Sequence, residues 1–375
     1  MSIDLNAAEE VFAASTDGTV GLEEEFAILD PETLDMVPRF EAMRDSAEPA
    51  LAERITGELI SSEIEIVSGR GEDLADALAR QADARRRLFA HAAAHGVVLG
   101  STGTHPWADY REQPNIDTEH YRRVVEGLGY PARRNNTFSL HVHVGVNGVD
   151  RAVRVCDRLR PVLPALLAAS ASSPFLDGED TRLHSARSET FTRTFPRCGV
   201  PDAYGSWDAY REYVDLLVRT GSIVEYTQVW WSVRPHFAFG TVEIRICDAQ
   251  PTAQESDALS GLVVACVLAA VRDVDEGVPF EDPAPRWIEE NLWRAIRHGM
   301  DGRLIDFDRG EEEPARAALE RLATWAGHDL ALPELNGAQR QRATLADTGS
   351  LREAYASIVA ETAATYGRPA AEHTA

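Results

Sequence analysis

VGLEEEFAIL (Val20–Leu29) carries the pattern that decides the fold class. Side chains on a strand alternate between the two faces of a sheet. Leu22, Glu24, Phe26 and Ile28 therefore share one face, and Glu23, Glu25 and Ala27 share the other. Three further stretches repeat the arrangement. In ELISSEIEIV, read as a strand over 59–67, Ile60, Ser62, Ile64 and Ile66 oppose Glu63 and Glu65. In the strand over 138–146, Leu140, Val142, Val144 and Val146 oppose His141 and His143. In TVEIRICD, over 241–248, Val242, Ile244 and Ile246 oppose Glu243, Arg245 and Cys247. Each strand thus has one face suited to packing and one rich in carboxylate and imidazole.

Outward from these strands, the apolar spacing predicts a helix over 72–95 that stops at Gly96, and a short strand over 97–103. A helix over 150–172 is broken or kinked at Pro161 and Pro164. Ser206 caps a helix reaching Arg219, a strand lies around 230–234, and the chain beyond 248 reads as helical. Residues 1–18 form a frayed or loosely helical lead-in to one domain over 19–375. The polar stretch 174–205 is too long for an ordinary connection, so it reads as a functional or disordered loop. Strands grouped apart from helices point to an α+β fold with a mainly antiparallel sheet.

Composition excludes several classes. Asp plus Glu total 61 against 37 basic residues, a net charge of -24, and every basic residue is arginine. Nucleic acid and anionic membrane are excluded as partners. The charge resembles that of proteins from salt-rich cells, where screening tempers self-repulsion, so the protein is expected to be stable and active only in molar salt, ideally potassium chloride. Without lysine there is no Walker A loop and no Schiff-base chemistry; phosphate must be met by arginine, metal or backbone amides. The most apolar run, Leu262–Val271, is half the ~20 residues that span a bilayer. With no secretory pattern at the start, the expected location is the cytoplasm. The cysteines, Cys156, Cys198, Cys247 and Cys266, form no zinc spacing; Cys156 and Cys266 read as buried apolar residues. Trp230 and Trp231 read as core or interface residues rather than an adenine platform, and Arg85–Arg87 as a solvated helix face.

Glutamates and histidines crowded on one sheet face repel one another unless a cation holds them. Hard oxygen ligands with an occasional imidazole suit Mg²⁺ or Mn²⁺, which also bridge nucleotide phosphates. Arg245, two residues past Glu243, shares that face and can bind phosphate or carboxylate through its fork.

These residues resemble the type 2 glutamate–cysteine ligase, or carboxylate–amine ligase, family, with its glutamine-synthetase-like fold. The resemblance rests on GLEEEF, ELISSEIEI, GTHPW (Gly103–Trp107), HYRRV (His120–Val124), HVHVGV (His141–Val146), RTFPRCGVP (Arg193–Pro201) and WWSVRPHFAFGTVEIRICD (Trp230–Asp248), in that order. It implies a curved antiparallel sheet whose concave polar face binds Mg-ATP and glutamate, with helices on the convex face. By motif, Glu23, Glu25, Glu65, His141 and Glu243 match metal ligands, and Glu243 with Arg245 the catalytic Glu-x-Arg. Arg187, Arg193, Arg234 and Arg245 match phosphate- or substrate-facing positions, and Glu63 and His143 share the face with a weaker match. The implied reaction joins glutamate to cysteine through γ-glutamyl phosphate, with ATP and Mg²⁺ or Mn²⁺. Glu63 is a candidate to take the amine's proton, and a homo-oligomer is implied. Two other readings are a ligase for a different amine, since the amine pocket lies in loops, and a metal-dependent hydrolase built on His141, His143 and Glu243.

Overall fold

The computed structural model describes residues 5–368. Its centre is a seven-stranded antiparallel sheet. We number its strands β1 (Val20–Leu29), β2 (Ile55–Thr56), β3 (Glu63–Val67), β4 (Val98–Gly100), β5 (Ser139–Gly145), β6 (Val233–His236) and β7 (Thr241–Asp248). The spatial order is β6-β7-β5-β1-β3-β2, and β4 pairs with the end of β1. With helices gathered on the apolar face, the architecture is α+β.

The registers set the chemistry of the other face. Glu23 lies opposite His141, Glu25 opposite Glu65, and Glu243 opposite both His143 and Arg234 on its two neighbours. Residues directly opposite are the closest side-chain neighbours a sheet offers, so acids and imidazoles from four strands meet in the middle of it. On the apolar face, Leu22, Leu140, Val142, Val144, Val242 and Ile244 join one buried cluster with helices 149–159, 163–170 and 253–275. Phe26, Ile64 and Ile66 join a second cluster with Leu88 and Ala92 of helix 74–94. Burial of this kind contributes roughly 25 cal/mol per Å² and anchors each strand's phase.

Several expectations change. Helix 5–13 is docked rather than frayed, with Leu5, Ala8 and Phe12 buried in the main core; residues 1–4 of the lead-in lie outside the described residues. The strand expected from Leu59 starts only at Glu63, because Ser61 and Ser62 form a turn. That expected over 97–103 shrinks to Val98–Gly100. The stretch 174–205 is not one loop. It holds a hairpin (Phe175–Leu176 with Glu179–Asp180), a helix (Ala186–Thr194) and a short strand (Cys198–Gly199) parallel to Trp230–Trp231. The C-terminal part is interrupted by a hairpin of Arg303–Asp306 with Glu311–Pro314. In β7 a bulge between Ile244 and Cys247 shifts the phase, so Cys247 turns into the core instead of sharing the face of Glu243. Cys156 and Cys266 are buried there as expected.

Arg85 is the clearest correction. It is 2% exposed, not solvated. Its Nε and Nη2 donate to the two oxygens of Glu24 at 2.7 Å each, and Nη1 to Asp257 at 2.7 Å. Glu24 also accepts from Gln81 and Ser256, so this middle glutamate of GLEEEF is a structural tie between sheet and helices. Removing one partner of a buried pair strands the other charge and costs about 3–5 kcal/mol. Arg85→Leu is expected to lower the urea midpoint accordingly at an unchanged m-value. A midpoint within error of the parent would show the tie to be dispensable.

Candidate active site

The polar face opens into a cavity of about 220 Å³ lined by Glu25, Glu58, Glu63, His141, Arg187, Arg234 and Arg245, with aromatic residues across from them. Each side chain is placed by a strand or by the loops flanking it. Glu23 Oε2 lies 2.9 Å from His141 Nδ1, and Oε1 lies 3.1 Å from His143 Nε2. Glu25 Oε2 accepts from the Ser139 amide and hydroxyl at 2.5 and 2.7 Å. The Ser139 hydroxyl also reaches His141 Nε2 at 2.8 Å. His143 Nδ1 contacts the Thr241 hydroxyl at 2.9 Å.

Arginines hold the other end. Arg234 donates to Glu243 through Nε at 2.6 Å, and to the carbonyls of Thr227 and Val229 at 3.1 and 2.6 Å. Arg245 pairs with Glu243 through Nη1, while its Nε is buried without a partner. The β7 bulge lies between Ile244 and Cys247, so Arg245 sits within it. Arg187 donates to the carbonyls of Ile246 and Arg245 at 3.2 and 3.1 Å.

The charges are uneven across the site. For Glu23 and Glu243, burial favours the neutral acid, but histidine and arginine neighbours outweigh it and hold both carboxyls well below the usual range. At Glu58 and Glu63 the pull of Arg245 and Arg187 is outweighed, and Glu65 is surrounded by other carboxylates. Burial and then neighbouring carboxylates push Glu63 and Glu65 well up, and Glu58 up to about 8. Burial and Arg245 lower His141, whereas Glu23 and Glu243 raise His143 against burial. Glu63 Oε2 is buried with no hydrogen-bond partner.

Such a cluster fits a divalent cation. Ligand atoms of Glu23, His141 and Glu243 lie within 4.8 Å of one another, as do those of Glu25, Glu65 and His141. A carboxylate offers about four lone-pair sites, so Glu243 can serve both its arginines and a cation. Oxygen donors with one shared imidazole suit Mg²⁺ or Mn²⁺.

The proton balance makes this testable. Glu58 rises from 4.5 when unfolded to about 8 when folded. Its contribution is thus complete below pH 4.5 and lost as pH climbs toward 8. A cation favours the ionised acids, so millimolar magnesium is expected to raise the thermal midpoint more at pH 8 than at pH 6. An equal increment at both would argue against cation binding by this cluster.

Of the residues singled out from sequence, Glu23, Glu25, Glu63, Glu65, His141, His143, Arg187, Arg234, Glu243 and Arg245 gather here. Arg193 does not. Its side chain is half exposed, 3.8 Å from Glu189 on the same helix, and is absent from the cavity wall. Glu58 escaped notice because continuous alternation would put it on the apolar face with Ile60; the turn at Ser61–Ser62 breaks that phase. Trp231 is core, packed among Tyr204, Tyr210 and Tyr213, but Trp230 lines the cavity.

A second cavity, about 550 Å³, is lined by Glu23, Glu65 and His143, of which Glu23 and Glu65 lie opposite His141 and Glu25 of the first. Its other walls are largely apolar, including Val20, Leu22, Val67, Ala238 and Phe239.

Comparison with known proteins places this architecture. The profile of the family described as glutamate–cysteine ligase family 2 matches residues 19–353. A Rubrobacter xylanophilus protein carrying the provisional name glutamate–cysteine ligase 2-2 is 41% identical over 367 residues, covering 95% of this chain and 94% of that one. A Solibacter usitatus protein with the provisional name glutamate–cysteine ligase 2 is 35% identical over 361 residues, covering 92% and 93%. Among solved structures, the Francisella tularensis glutamate–cysteine ligase in complex with AMP superposes with a TM-score of 0.67 at 11% identity, covering 95% of this chain and 90% of that one. The bifunctional glutathione synthetase of Pasteurella multocida gives 0.68 at 14% identity; this chain spans 54% of its length. At such identities the likeness is one of fold.

Proposed function

Because the chain belongs to glutamate–cysteine ligase family 2 and is thus an ATP-dependent carboxylate–amine ligase, we propose that it joins the side-chain carboxylate of glutamate to the amine of cysteine through γ-glutamyl phosphate. The observation that carries this reading is the meeting of Glu23, Glu25, Glu65, His141 and Glu243 beside Arg187, Arg234 and Arg245 on one sheet face.

In this reading the acids and His141 hold magnesium, which supplies charge neutralisation for the phosphates. The apolar cavity takes the nucleoside, since Glu23 and Glu65 on its wall lie opposite His141 and Glu25 on the wall of the polar one. Glutamate occupies the polar cavity, where the free Nε of Arg245 can donate to its oxygens. Its γ-carboxylate attacks the γ-phosphorus of ATP, the bond to ADP breaks, and an acyl phosphate forms. Positioning of the two groups and arginine donors supply the rate; no lysine exists to do so. The amine nitrogen then bonds to the acyl carbon, the carbon–oxygen bond to phosphate breaks, and the amine's proton passes to Glu63. That acid lines the cavity, and its buried Oε2 has no hydrogen-bond partner.

A hydrolase built on His141, His143 and Glu243 would not require the arginines that grip both oxygens of Glu243. ADP release, measured with glutamate and a panel of amines, separates these readings. It is expected to require glutamate and to be fastest with cysteine. Another amine exceeding cysteine tenfold in kcat/KM, about 1.4 kcal/mol, would keep the ligase and replace the amine; turnover without ATP would favour the hydrolase.

A further inference from the structure

The carboxylates and arginines of the polar cavity answer the charges of glutamate and phosphate, but three rings on the same cavity answer none of them. Phe191, Phe195 and Trp230 form a continuous wall. The rings of Phe191 and Phe195 are 4.6 Å apart, and Trp230 meets Phe195 edge-on at 5.7 Å. We propose that this wall is the subsite for the side chain of the amine substrate, and that it selects a thiol or short alkyl group over a hydroxyl. The proposal rests on the ligase reading above.

Several polar groups beside Trp230 support it, because they already hold partners within the protein. Glu225 is 3.1 Å from His120, and Gln228 Oε1 accepts from the Val224 amide at 2.7 Å. The carbonyls of Thr227 and Val229 accept from Arg234, and that of Gln228 from Arg197. The Tyr121 hydroxyl is bonded to the Gly57 carbonyl. The rings themselves offer a hydroxyl no acceptor, so pressing one against them in place of water is costly. A thiol loses little on leaving water and gains contact with ring edges.

The test compares kcat/KM for cysteine, 2-aminobutyrate, serine and hydroxylamine, the last having no side chain. In the parent enzyme, 2-aminobutyrate is expected within about tenfold of cysteine, and serine about a hundredfold below it. In Trp230→Ala, the ratio of cysteine to hydroxylamine is expected to fall about tenfold or more. Phe195→Leu supplies a second reading of that ratio should Trp230→Ala fail to fold by circular dichroism. Serine used as well as cysteine, or a ratio within twofold of the parent in a folded variant, would overturn the subsite. A parent enzyme that forms no product from any of these amines would instead overturn the ligase reading on which the subsite depends.

Discussion

Arg245→Lys is expected to lose about a hundredfold or more in kcat while keeping its thermal midpoint near that of the parent. Arg245 lines the cavity, pairs with Glu243 through Nη1 and keeps a buried Nε without a partner. A planar fork can bridge an acid and a substrate oxygen in fixed geometry, whereas an ammonium is a point charge. Lysine would therefore keep the ion pair and lose the second contact. ADP release at saturating ATP and glutamate, measured beside thermal unfolding, checks this. Near-normal turnover would reduce Arg245 to a structural partner of Glu243.

Glu25→Gln is expected to separate activity from stability. The Glu25 carboxylate raises the proton affinity of Glu58, Glu63 and Glu65, so neutralising it relieves repulsion in the metal-free protein. Glutamine retains an oxygen to accept from Ser139. The variant should be at least as stable as the parent without metal, yet lose about a hundredfold or more in turnover along with a cation ligand. The neighbouring Glu24 should behave oppositely, because its partner is the buried Arg85 rather than a cation. If Glu25→Gln and Glu24→Gln both cost stability and spare activity, the cation site is misassigned.

The contrast between Glu24 and Glu25 shows how far the sequence could be read. Alternation put them on opposite faces and gave the same-face set of Glu23, Glu25, His141, His143 and Glu243, because a period of two survives wherever a strand is unbroken. It failed where the backbone departs from that period. The turn at Ser61–Ser62 hid Glu58, and the β7 bulge moved Cys247 into the core. Arg85 looked solvated because three consecutive arginines carry no sign of a partner 61 residues away. Arg193 and Arg187 lie on one helix, yet only Arg187 turns toward β7 to bond its carbonyls. The aromatic wall was illegible for a similar reason: Phe191 comes from a helix hidden in an apparent loop, Phe195 from the residue that ends that helix, and Trp230 from the short strand beside it.

The acyl phosphate is the species on which the proposed route turns. Hydroxylamine intercepts such a species, so ATP, magnesium and glutamate with hydroxylamine in place of cysteine should yield glutamyl hydroxamate. Omitting any one component should abolish it, and Glu243→Gln should not form it. Hydroxamate formed without ATP, or none formed by an enzyme that turns over with cysteine, would contradict the proposed route.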